Sequence, residues 1–150
     1  MTKPAVIDTT VQKTHEWLGE ITQRLGFNNE RAAYAALRAT LHALRDRLPP
    51  EAVAHFGAEL PMLIRGLYYE GWHPSAERLR SSHDEDFLDS VRRELTGHHE
   101  LQDAGRVVRI VLAILDDRLG PNQVEHVLAA LPKDARVLWR EAVQEESDRQ

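Results

Sequence analysis

A chain of 150 residues and 17.1 kDa, 42% hydrophobic and 29% charged, has the size and composition of one folded domain and is too apolar to stay disordered. Its formal net charge of -5 and pI near 5.9 set the whole-chain field against phosphate backbones and anionic membrane surfaces, so nucleic acid is not an expected partner. The lack of cysteine excludes disulfides, thiolate nucleophiles and Cys-ligated zinc; with no signal-peptide run over residues 1–10 and Arg109 inside the most apolar stretch, 107–115, the expected setting is the cytoplasm, without a membrane.

Val11, Thr14, Leu18, Ile21 and Leu25 recur every three or four residues, the period that gathers side chains on one helical face, and Gly26 supplies a stop. Asn28 is placed to cap a second helix, whose stripe of Ala33, Leu37, Leu41, Leu44 and Leu48 runs into Pro49 and Pro50. Pro50 suits the first turn of a short third helix through Gly57. Pro61 opens a fourth, with Leu63, Ile64, Leu67 and Tyr68 turned inward, until Gly71 closes it. Residues 71–82 form a connector that is polar except for Trp72, Ala76 and Leu79. Ser82 and Glu85 then have the spacing of a capping box, and helices are expected over 87–95, 101–119, 121–130 and 132–145. Within 101–119, Val107, Val108, Ile110, Val111, Leu112, Ile114 and Leu115 leave little polar face, so this helix should be more buried than its counterpart at 33–48. No segment alternates as a half-buried strand would, and the ends, 1–8 and 145–150, should fray.

The chain resembles itself. Shifted by 71 residues, positions 44–70 fall on 115–141 without a gap, and 13 of the 27 pairs are identical, where unrelated sequences would share about two. Among the identities are Asp46/Asp117, Arg47/Arg118, Pro50/Pro121, His55/His126, Pro61/Pro132, Arg65/Arg136 and Glu70/Glu141. The register reaches back to Arg38/Arg109, and a one-residue slip then aligns Trp17, Leu18, Ile21 and Leu25 with Phe87, Leu88, Val91 and Leu95. Units of this size bury too little alone. The expected fold is therefore all-α: an orthogonal bundle of about eight helices, in which two repeats of about four, 10–73 and 83–146, pack about a pseudo-twofold as one domain over 9–146.

Eight histidines make metal binding the first chemistry to weigh, and His55 with His126 is the best case, because a pseudo-twofold can bring equivalent residues together. Helical metal sites usually show local ligand pairs three or four residues apart; Glu51 and Glu59 stand so around His55, with no match around His126, which favours structural histidines and assigns no metal. His98, His99 and Glu100 fall together in a loop and point only to solvent exposure. Arg38 and Arg109 occupy one position inside apolar stretches and need carboxylate partners, for which the duplicated Asp46/Asp117 and Glu70/Glu141 are at hand. The sharper alternative has both arginines flank a cleft and hold an anionic small molecule. The copies part at Tyr68, Tyr69, Trp72, His73 and Pro74, an aromatic cluster that either plugs the seam between units or forms part of an interface.

Two stretches, VQKTHEWLGEI and AYAALRATLHALRDRLPPEAVAHFGAELPMLIRGLYYEGWHP, with their degenerate echo after Arg109, resemble the bacterial domain of unknown function 2267 family over nearly the whole chain. The resemblance implies a small helical protein and brings no activity, cofactor or catalytic residue with it. No nucleophile elbow, phosphate-binding loop, dinucleotide fingerprint or zinc-protease motif occurs either. The balance is against an enzyme. The first reading is a helical interaction or scaffold protein, with a protein partner or a second copy of itself. The second is a small-molecule or metal site at the seam, using Arg38, Arg109, His55 or His126; the third is nucleic-acid binding through Arg38, Arg45 and Arg47.

Overall fold

Proline and glycine set most of the helix boundaries. Pro50 and Pro121 sit in the first turn of α3 (Pro50–Ala58) and α7 (Pro121–Ala130), where the missing backbone N–H had no helical partner to lose. Pro61 and Pro132 stand just ahead of α4 (Met62–Tyr69) and α8 (Lys133–Asp148). Gly26 ends α1 (Ala5–Leu25) at φ 85°, a left-handed conformation in which its N–H reaches Thr22 O at 2.9 Å. The remaining helices are α2 (Glu30–Arg45), α5 (Asp84–Glu94) and α6 (Ala104–Arg118), the last preceded by a 3₁₀ turn at His99–Leu101. The computed structural model describes residues 3–74 and 84–149, and among these no strand occurs and no helix is long and apolar enough to cross a membrane.

Several boundaries differ from the sequence reading for local reasons. Asn29, not Asn28, caps α2: its side chain accepts from Ala32 N at 3.2 Å, three residues on, where Asn28 is one residue too early to reach. Asp103 accepts from Arg106 N in the same way, so α6 starts at Ala104 and Leu101 is left, buried, in the turn before it. α1 begins at Ala5, directly after Pro4, and α8, with no proline or glycine in its last turns, runs to Asp148, both through residues expected to fray. The Ser82–Glu85 capping pair and residues 75–83 of the connector lie outside the described residues and side chains.

Two long helices hold the centre. α2 packs on α1, α4, α5 and α6, and α6 packs on α1, α5 and α8, while α3 lies against α4 and α7. Their buried side chains form one apolar cluster that includes Leu37, Leu41, Leu44, Val111, Leu112 and Leu115, each contributing about 1.5–3 kcal/mol of burial. The expectation that α6 would be the more buried is not met: α2 buries eleven of its sixteen residues and α6 nine of its fifteen. Alanines at 32, 33, 36, 39 and 43 keep α2 thin enough for neighbours to close in, and Thr40, His42 and Arg45 go inside with them. Two residues assigned to inward stripes, Val11 and Leu63, are instead exposed.

Each duplicated arginine of the α4 and α8 starts does one job twice. Arg65 donates to Gly57 O at 2.9 Å and to Leu60 O at 2.9 Å, and Arg136 donates to Leu128 O at 3.5 Å. Both satisfy carbonyls freed where the preceding short helix ends.

Candidate functional site

His55 on α3 and His126 on α7 meet across the seam, ring centres 4.8 Å apart and planes tilted by 51°. Both are exposed, and neither ring makes a hydrogen bond among the described residues. They stand at a cleft of about 340 Å³ that is walled by Pro49, Ala52, Val127 and Ala130, with Glu51 at its edge. The two positions are equivalent in the repeat register; their exposure could not be read from periodicity. Among the described residues, no group of three or more histidines and carboxylates is arranged to hold a metal.

A second cluster, absent from the sequence reading, lies where α2 faces the end of α4. His42 is buried, with Nε2 at 2.7 Å from Leu67 O and Nδ1 at 2.9 Å from a Glu94 carboxylate oxygen. Both ring nitrogens thus face acceptors, a backbone carbonyl and a carboxylate, so any proton the ring carries has a partner. Arg45, also buried, donates to Tyr68 O at 2.8 Å, Glu70 O at 2.7 Å and Asp46 Oδ1 at 2.9 Å. Arg38 completes the cluster through Glu70 at 3.0 Å and Glu94 at 2.5 Å. Burial alone would raise the Glu94 carboxyl, but the His42 hydrogen bond and the charges of His42, Arg38 and Arg45 outweigh it and hold the group below its ordinary value. Arg38 balances likewise: burial works against its charge, and Glu70 and Glu94 more than offset this, raising its pKa. The signal that could have revealed the cluster is the spacing of Arg38, His42 and Arg45, at i, i+4 and i+7 on one face of α2.

The duplicated arginines do not make duplicated pairs. Arg109 bonds Glu145 at 3.0 Å, one turn beyond Glu141, and neither Arg38 nor Arg109 is buried as expected. Each is already held by carboxylates. Arg45 and Arg47 are the buried arginines, so with Arg38 engaged by Glu70 and Glu94 the three form no open basic face. Arg47 lies over the Phe87 ring at 5.0 Å and donates to Ser90 Oγ at 3.2 Å, and burial lowers its pKa. In the other direction Arg118 lies over Trp17 at 5.4 Å and donates to Glu20 Oε1 at 2.8 Å.

The aromatic segment divides between inside and outside. Tyr68 is fully buried, donates to Val53 O at 2.9 Å and packs edge-on against Phe56 and Tyr69; burial pushes its phenol above the ordinary value. Tyr69 lies over Gly57, where an added Cβ would fall 2.6 Å from its hydroxyl, and stacks towards Trp72; both are half-buried, and His73 is exposed. In the second half the same two places hold Leu128 and Arg140, so the bulk missing at Gly57 is supplied from α4.

A further surface went unread. Val6, Ile7 and Val11 on the first turns of α1, and Met62 and Leu63 on the first turn of α4, are all exposed. The two turns are tied together, because Leu63 N donates to Thr10 Oγ1 at 2.9 Å. Helical period places Val6, Ile7, Thr10, Val11 and Thr14 on one face, so the α1 stripe continues outward past the core.

Residues 14–138 match the model of a family described as Uncharacterized conserved protein (DUF2267). The chain belongs to this family. Among curated proteins, none matches it. The DUF2267 match takes in the histidine pair and the α2 cluster, whereas Val6, Ile7 and Val11 precede it.

Proposed function

We propose that this DUF2267 chain is a non-enzymatic helical interaction protein that pairs with a second copy of itself through the apolar face of α1 and α4. One observation carries the reading: of the seven large apolar residues left exposed among the described residues, five lie together on that face, with Val6, Ile7 and Met62 each more than half exposed. Together they present on the order of 400 Å² of apolar surface, the size of the largest patch on an ordinary monomer, which is often a functional one. An interface of standard size covers about 800 Å² per partner, a little over half of it nonpolar, so the patch is about what one side of a dimer needs. Near it in the sequence Lys3, Asp8 and Lys13 are exposed and carry charges of both signs.

The reading takes residues 9–146 as one domain in which repeats 10–73 and 83–146 are related by a pseudo-twofold. It is supported by contacts made in both directions: Arg47 with Phe87 and Ser90, and Arg118 with Trp17 and Glu20, at positions the repeat register makes equivalent. It is supported as well by His55 meeting its own counterpart, as residues on such an axis do. The cysteine-free composition suits the cytoplasm.

Light scattering after gel filtration at tens of micromolar tests the self-association. A dimer is expected for the native chain and a monomer for Ile7→Glu combined with Met62→Glu, while Val137→Glu, on α8, leaves the dimer intact. A native chain that is strictly monomeric, or a dimer untouched by the first pair of changes, overturns the proposal.

A further inference from the structure

We propose that His55 and His126 form a two-imidazole binding site for a borderline divalent transition-metal ion of the copper(II), nickel(II) or zinc(II) class. The ring spacing matches the chemistry. Two imidazoles bound side by side on one ion, each nitrogen about 2.0–2.1 Å from it, hold their ring centres about 4.5–5 Å apart. His55 and His126 stand 4.8 Å apart. Their planes are tilted by 51°, so the rings do not overlap in a parallel stack.

The donors are free and the setting favours a cation. Among the described residues none of the four ring nitrogens is used in a hydrogen bond, so a neutral ring keeps a lone pair to offer. Among the described residues no lysine or arginine lines the cleft and Glu51 does, and the whole chain is negative. The two ligands are carried by α3 and α7, which pack directly on each other and are fixed at their starts by Pro50 and Pro121. Helix packing across the seam, and not a local i, i+4 repeat, therefore sets the ligand spacing, which is why ligand spacing along the sequence argued against a site. Two protein ligands leave the other coordination positions to water or to a donor from outside, so the site is an open one, and copper(II) should bind most tightly in the ordinary order of divalent ions.

Chelator-treated full-length protein titrated with copper(II) and with zinc(II) by calorimetry tests the site. One copper ion per chain is expected, with affinity at least tenfold weaker in His55→Ala and in His126→Ala, and falling on acidification as protons compete for the ring nitrogens. Both side chains are at the surface, so circular dichroism should show the variants folded. Electron spin resonance of the copper form should report two nitrogen ligands, one of them lost in either variant. Absence of binding at tens of micromolar, binding indifferent to the double variant, or binding abolished by His98→Ala with His99→Ala each overturns the proposal. The Ile7→Glu, Met62→Glu chain should keep the site, so this proposal and the self-association fail separately.

Discussion

At the centre of the bundle α2 carries Thr40, His42 and Arg45 into the interior, where α6 carries Val111, Ala113 and, half-buried, Asp116 at the corresponding positions. The helices they face account for the difference. α4 stops after eight residues, so the carbonyls of Leu67, Tyr68 and Glu70 end inside the protein and need donors, which His42 and Arg45 supply. α8 continues for sixteen residues, so the equivalent carbonyls of Leu138 and Trp139 fall in its interior and find partners along the helix. Asp116 accepts instead from Trp139 Nε1 at 2.9 Å. The polarity of a central helix is thus set by how soon its neighbour ends.

The largest expected effect follows from removing the donors of the short helix. Arg45→Met should cost about 2–4 kcal/mol in urea unfolding, because two inward carbonyls lose their partner, whereas Asp116→Ala frees a single indole N–H and should cost about 1 kcal/mol. Equal losses in the two variants would break the comparison.

Acid sharpens it further. Because the folded carboxyl of Glu94 lies below its unfolded value near 4.5, its contribution is complete above that value and is lost as pH falls through the folded one. Glu94→Gln should cost about 1–2 kcal/mol at neutral pH, and its gap from the native chain should narrow steadily below about pH 4.5. A gap that stays constant from pH 7 to pH 3 would remove the ionic role given to Glu94.

The smallest change has the opposite sign. The Thr40 hydroxyl is buried without a hydrogen-bond partner, and the second half has Val111 in its place. Thr40→Val should leave the fold unchanged and raise stability by up to about 1 kcal/mol, read as a higher thermal midpoint. A lower midpoint would mean that the hydroxyl is satisfied after all.

Helix starts and stops were legible because proline and glycine act locally: Pro50, Pro61, Pro121, Pro132 and Gly26 each sit at a boundary the sequence announces. The inward face of α2 was legible too, from the spacing of Ala33, Leu37, Leu41 and Leu44. What periodicity cannot supply is whether a face has anything to cover it, so Val11 and Leu63 were placed inside when their apolar stripe runs past the last neighbour. Nor does it show which polar residues go inward. His42 and Arg45 belong to the interior because α4 ends opposite them, a tertiary fact, and Glu94 joins them from more than fifty residues away. For the histidine pair, equivalence indicated the partner, and only the packing of α3 on α7 gave the distance.

Arg47 covers an aromatic ring of the second half, and Arg118 covers one of the first. In the proposed two-repeat arrangement, a half made alone would leave its ring and its share of the common apolar cluster bare, and could hide them only by finding another half in solution. Joined in one chain, the halves meet at an effective concentration on the order of millimolar, whatever the dilution. Joining also releases them from having to match. Arg38 reaches Glu94, while the register sets Arg24 opposite Arg109, where two identical chains would have to make the same bond twice. One chain with two unlike halves makes it once, and can place an acid on one side of the seam without placing it on the other.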